Sequence, residues 1–272
     1  MSSSPYIFEG PEPDVILRAY LQVGSDEVKD FHVHKLILSI ASVVFRDTFS
    51  IPQPRSTSSD PATLDVVQVT ELPQVIEVFL RLVYPVDPPV IEDLQLLDDL
   101  FRFADKYIAS GVTNKLKNVL VSPPFLHKDP IGVFAIACRS NLEEEAELAV
   151  SRTFSLNLIT SVTPVHLQSM TAQTYHRLLT KHAHRREELL GAVEKAANLA
   201  AFRSCRCMGK FKKEVQFCII DTPFLEKEIL ERCHYSAKFM GLTCNGFCIL
   251  KNNPDITLFL CEIMRNVQAL EP

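Results

Sequence analysis

Between Phe31 and Phe49 the hydrophobic period of the chain changes, and this constrains the fold more than any other feature. The segment reads Phe-His-Val-His-Lys-Leu-Ile-Leu-Ser-Ile-Ala-Ser-Val-Val-Phe-Arg-Asp-Thr-Phe. Phe31 and Val33 alternate as strand residues do. Leu36 with Ile40, and Phe45 with Phe49, recur at the spacing of one helix face. A strand running directly into two short amphipathic helices is a packing unit with no evident chemistry in it. The expected helices cover residues 35–40 and 43–50, the second with Ser42 as its N-cap. Upstream, Val15 to Leu21 reads as a strand. Gly24, Ser25 and Asp26 supply the turn that returns the chain through Val28 to His32 as a hairpin.

Residues 51–61 are rich in Pro, Ser and Thr and read as a loop, after which Leu64 to Val69 returns to strand composition. Pro73 opens a helix with the stripe Ile76, Phe79, Leu80 and Val83, ended by Pro85. From Asp93 to Ile108 one helix face carries Leu94, Leu97, Phe101, Ala104 and Ile108, and Gly111 suits its C-terminal cap. A shorter helix, Thr113 to Leu120, stops before the Pro123-Pro124 pair, where a domain boundary is expected. Beyond it the pattern is helical. Asp129 can cap a helix carrying Ile131, Phe134 and Cys138 on one side, and Asn141 with Glu144 gives a box-like start to the next. Thr163-Pro164 opens a short helix. Thr171 precedes a long one to about Ala201, with Tyr175, Leu178, Leu179, Leu189, Leu190, Val193 and Ala197 as its apolar stripe. The organisation expected is a polar tail over 1–12, a domain over 13–121, a helical extension over 125–201 and a Cys-containing region over 202–272.

Asp14, then Phe31, His34 and Lys35, then Leu38, then Ser42, Phe45 and Phe49 form a pattern that resembles the signature of the BTB/POZ domain. Leu72-Pro73, Phe79-Leu80 and Val83-Tyr84-Pro85 look like that family's next helix and its Tyr-containing exit. Ala104-Asp105-Lys106-Tyr107 looks like the end of the helix after it. Asp129 to Arg139 and Glu143 to Ala146 resemble the helical extension of fungal BTB-containing proteins. The resemblance implies an α+β fold, a short sheet with helical hairpins, followed by an all-helical extension. It implies a non-enzymatic module that self-associates or docks on a scaffold. A substrate adaptor of a cullin-RING ubiquitin ligase and an oligomerising transcription cofactor are the alternatives. Two departures bear on these. Only 13 residues precede Asp14, three of them Pro, so the extra helix that dimeric relatives swap is not expected here. Where cullin-binding relatives carry a hydrophobic-x-Glu signal, this chain has Ile51-Pro52-Gln53, without the carboxylate.

Composition narrows the function further. A net charge of -5 argues against a general nucleic-acid binder. Residues 1–10 lack the basic and apolar regions of a signal peptide, and no apolar run is long enough to span a bilayer, so a cytoplasmic or nuclear protein is expected. With 8 Gly in the chain, no phosphate-cradling loop or Gly-x-Ser-x-Gly elbow is found, and no catalytic residue is assigned. His34 reads as a structural residue at a strand-to-helix junction, since a base there would have only Ser39 and Ser42 as partners. Cys205, Cys207, Cys244 and Cys248 form two close pairs that could hold a structural zinc; buried free thiols are the default expectation, and no cofactor is assigned. His176, His182 and His184 are expected on a solvated polar face of the long helix.

Overall fold

Alternation decides the first strand: Val15, Leu17 and Ala19 are fully buried while Ile16 and Arg18 are not. The fold is described from a computed structural model, for residues 12–21, 27–51, 64–198, 206–221 and 263. Strand β1 (Val15–Tyr20) pairs antiparallel with β2 (Val28–Val33), in a register that sets Leu17 opposite Phe31 and Val15 opposite Val33. The turn residues Gly24, Ser25 and Asp26 lie outside the described residues. From β2 the chain enters α1 (Lys35–Ala41) and α2 (Val43–Ser50), then β3 (Asp65–Val69), which pairs parallel with β1. The sheet order is β2-β1-β3. A parallel neighbour requires a crossover, and here the α1–α2 hairpin lies within it.

Helices α3 (Pro73–Val83), α4 (Leu94–Lys106) and α5 (Ser110–Leu120) complete this part of the fold. Asp93 caps α4 by accepting from the Gln95 and Leu96 amides. Past the diproline come α6 (Pro123–Lys128) and α7 (Pro130–Arg139), the latter capped by Asp129 through the Gly132 amide. Every residue from Pro130 to Ala137 is buried, as a run of Ile, Val, Phe and Ala on all faces requires. Helix α7 packs on α4. Asp98 of α4, almost fully buried, pairs with Arg139 of α7 and with Arg102. The first compact unit of the chain extends to Ala146, and a second begins at Glu147.

Helix α8 (Glu143–Thr153) begins in three glutamates, where a helix N-terminus favours negative charge. In the second unit, α9 (Leu158–Ser161) and α10 (Pro164–Ser169) follow, the latter opened by a reciprocal cap between Thr163 and His166. Helix α11 (Ala172–Ala197), capped by Thr171, packs against α12 (Arg206–Asp221), with Lys212 paired to Glu194.

Several expectations are corrected. Leu36 and Ile40 do not face the core: they are 70% and 79% exposed, and Leu38 is the fully buried residue of α1. A seven-residue helix makes two turns, too few for periodicity to choose between neighbouring faces. On α3, Leu82 is buried where Val83 was expected. Helix α4 stops at Lys106. Ile108 holds the left-handed position (φ 49), its amide bonding Asp105 O while the Ala109 amide reaches Ala104 O. Gly111, expected there, lies inside α5. Asn141 ends α7 in the same way (φ 57), with Leu142 N–H on Ala137 O, so it terminates one helix instead of starting the next. His182 is 4% exposed and belongs to the buried face with Leu178 and Leu189, whereas Leu179 is 41% exposed.

Candidate interaction surface

The signature residues build the framework first. The Lys35 amide donates to Asp14 Oδ1 at 2.7 Å, so the start of β1 caps the first turn of α1, and Lys35 Nζ pairs with Asp65 of β3 at 2.6 Å. The His34 amide donates to the Tyr84 hydroxyl at 2.9 Å, and that hydroxyl lies 3.0 Å from His34 Nδ1. A phenol oxygen can accept from the amide and also hydrogen-bond the ring nitrogen. The ring is thus committed to structure. Burial pushes the Tyr84 phenol above its ordinary value. Ser39 and Ser42, the hydroxyls nearest His34 in sequence, donate to the Lys35 and Tyr107 carbonyls.

Phe31 and Leu38 are buried, and Phe45 enters an aromatic cluster. Its ring stacks on Tyr107 at 4.7 Å between centroids and meets Phe79 at 6.5 Å and the half-buried Phe49 at 6.0 Å; Phe103 joins Phe79 and Tyr107. The Tyr107 hydroxyl donates to Glu71 Oε2 at 3.2 Å; burial, then the Glu71 charge, holds the phenol well above its usual value. Asp14, Phe31, His34, Lys35, Leu38, Ser42, Phe45 and Phe49 therefore hold β1, α1, α2 and α4 together, with Asp14 and Lys35 doing so from the surface.

On that surface an apolar cleft of about 570 Å³ opens where the end of α1, the end of α3 and the start of α5 come together. Ile37, Ile40, Ala41 and Val43 form one wall, Leu82, Val83 and Pro85 a second, and Ile108 and Val112 a third. Among the described residues Arg46 and Lys115 are its only charged lining residues. Lys115 Nζ donates to the Leu82 carbonyl at 2.5 Å, joining α5 to the last turn of α3. Sequence reasoning missed this site, because its walls lie some 30 residues apart along the chain.

A second recess, of about 230 Å³, is lined by Arg102, Asp105, Lys106, Thr113, Arg139 and Ser140 beside Phe101. Its cations have carboxylate partners: Arg102 and Arg139 share Asp98, and Lys106 pairs with Glu71 at 2.6 Å. Among the described residues no three His, Cys, Asp or Glu side chains gather as a metal would need. Cys205, Cys244 and Cys248 lie outside the described residues, as does the side chain of Cys207. Among the described helices none is long and apolar enough to cross a membrane.

A short sheet with helical hairpins, followed by a helical region, is the architecture that the Asp14-to-Phe49 pattern implied; the strand order β2-β1-β3 is read from the structure. Comparison with known families agrees with it. Residues 14–123 match the BTB/POZ domain. The match runs from the aspartate that caps α1 to the first proline of α6, and the chain continues as a helical region. No curated protein matches the chain. The BTB/POZ domain is a protein–protein interaction module, and the apolar cleft lies wholly within it.

Proposed function

We propose that this chain is a non-enzymatic interaction protein whose BTB/POZ domain self-associates or docks on a scaffold through the cleft between α1, α3 and α5. The observation that supports the reading is the exposure of Ile40, at 79%, on the rim of a concave apolar surface. A single exposed Ile is ordinary, but one that borders a cleft walled by eight further apolar side chains marks a binding face. Leu36, one turn earlier on α1 and 70% exposed, extends the apolar surface along that helix.

Sedimentation of the full chain at increasing concentration tests this, with Ile40→Asp as the comparison. Concentration-dependent association that Ile40→Asp abolishes supports self-association through the cleft. Titration with the N-terminal domain of a cullin scaffold separates the ligase-adaptor version. Binding there, lost in Ile40→Asp, would make the docking partner a cullin and turn attention to substrates of the helical region. Ile40 is exposed, so its replacement leaves the core intact, and a variant that still associates and docks like the natural chain would refute the reading.

A further inference from the structure

Ile108 sits where its residue type is a poor choice. At the C-terminal end of α4 the chain passes through the left-handed region with φ 49, a conformation in which a β-branched side chain crowds its own backbone. The matching end of α7 places Asn141 in that position, a residue that tolerates it. The strain of Ile108 is not offset by burial, since 54% of the residue is exposed. An apolar residue held in strain and left in water is unfavourable for the isolated chain twice over. The position becomes intelligible if a partner covers it, because Ile108 lines the cleft.

The charges around the cleft say what that partner carries. Lys115 spends one of its three donors on the Leu82 carbonyl. Arg46 has Asp47, its neighbour in sequence, at 3.6 Å, in a pair whose side chains are 60% and 67% exposed. Among the described residues no carboxylate lines the cleft itself. Two cations beside an apolar trough complement an apolar stripe flanked by acids.

We propose that the cleft seats an acidic amphipathic segment of a partner protein, with Ile108 as the apolar anchor and Arg46 and Lys115 meeting its carboxylates. This rests on the cleft being the contact face of the domain. The probe is a labelled synthetic amphipathic peptide of about four helical turns, with a leucine stripe and glutamates beside it. It is titrated onto the full chain by fluorescence anisotropy against a counterpart with lysine for glutamate. The acidic peptide is expected to bind saturably and about tenfold more tightly than the basic one. Ile108→Asn is expected to weaken it by about tenfold or more while raising the melting temperature, a combination that a purely structural residue would not give. Arg46→Glu, on exposed surface, should reverse the preference between the two peptides.

Equal binding of both peptides, or undiminished binding by Ile108→Asn, overturns the proposal. Absence of acidic-peptide binding in a chain whose self-association Ile40→Asp still abolishes also overturns it, and assigns the cleft to a second copy. If Ile40→Asp alters neither association nor peptide binding, the contact face itself has been misplaced and both readings fall.

Discussion

The Ser42 hydroxyl donates to the Tyr107 carbonyl at 2.6 Å and accepts from the Phe45 amide at 3.1 Å. One side chain thereby caps α2 and binds the end of α4, 65 residues further along the chain. Both bonds are buried, with Ser42 at 2% exposure. Ser42→Ala removes an N-cap and strands a carbonyl away from water, so we expect a loss of about 2–3 kcal/mol. Urea unfolding followed by circular dichroism checks it. A loss no larger than that of an exposed N-cap would mean that the Tyr107 bond contributes nothing.

Phe45 carries the packing next to that cap. It is 1% exposed and touches rings from α3, from the end of α4 and from its own helix. Phe45→Ala should cost about 3–5 kcal/mol, the range for truncating a buried aromatic. Equilibrium unfolding measures it, and a cost below about 1 kcal/mol would show that the cluster is not a core.

Gly132 lies in the first turn of α7, where helix propensity alone would favour alanine by roughly 1 kcal/mol. Here a Cβ would meet Asp129 Oδ2 at 2.5 Å and Leu94 Cδ2 at 2.7 Å. Gly132→Ala must therefore displace the capping carboxylate or the α4 side chain. We expect destabilisation by about 1–3 kcal/mol, opposite in sign to the propensity effect. Thermal melting of the two chains side by side decides the sign.

His182 makes the second unit sensitive to acid. Its Nε2 lies 2.9 Å from Thr153 Oγ1, and that hydroxyl donates its one hydrogen to the Val150 carbonyl, which leaves Nε2–H as the donor to Thr153. Phe154 meets the ring edge-on at 5.2 Å. Burial first, and then the Arg186 charge, lowers the imidazole pKa to about 4. The unfolded chain takes up this proton below about pH 6.5, the folded unit only near pH 4. The stability contributed by neutral His182 is therefore full above pH 6.5 and is lost as the pH falls through that window. At pH 5 we expect a loss of about 2 kcal/mol relative to pH 7, and His182→Leu should flatten the slope. Denaturant titrations at the two pH values test it; equal slopes in both proteins would refute it.

The residues that act locally were legible. Ser42, Asp129 and Thr171 are N-caps because each precedes a helical pattern with a side-chain oxygen in reach of its first amides. The stripes of α3 and α4 gave correct faces over most of their length because eleven and thirteen residues fix a helical phase. His182 was legible in principle: it stands four residues after Leu178 and seven before Leu189, on their face, but its polarity and basic neighbours argued for solvent. Its burial depends on Thr153, 29 residues away.

Sequence alone determined the period change after β2, the N-caps Ser42, Asp129 and Thr171, and the signature pattern from Asp14 to Phe49, because each rests on contacts between near neighbours or on strong periodicity. Tertiary structure decided which face of α1 looks outward, that Ile108 and not Gly111 ends α4, and that α1, α3 and α5 enclose a cleft. A seven-residue helix buries whichever side its neighbours cover, and those neighbours lie 40 to 75 residues further along the chain. Local preference cannot fix such a choice, since the burial free energy that settles it exists only after the distant helices have packed.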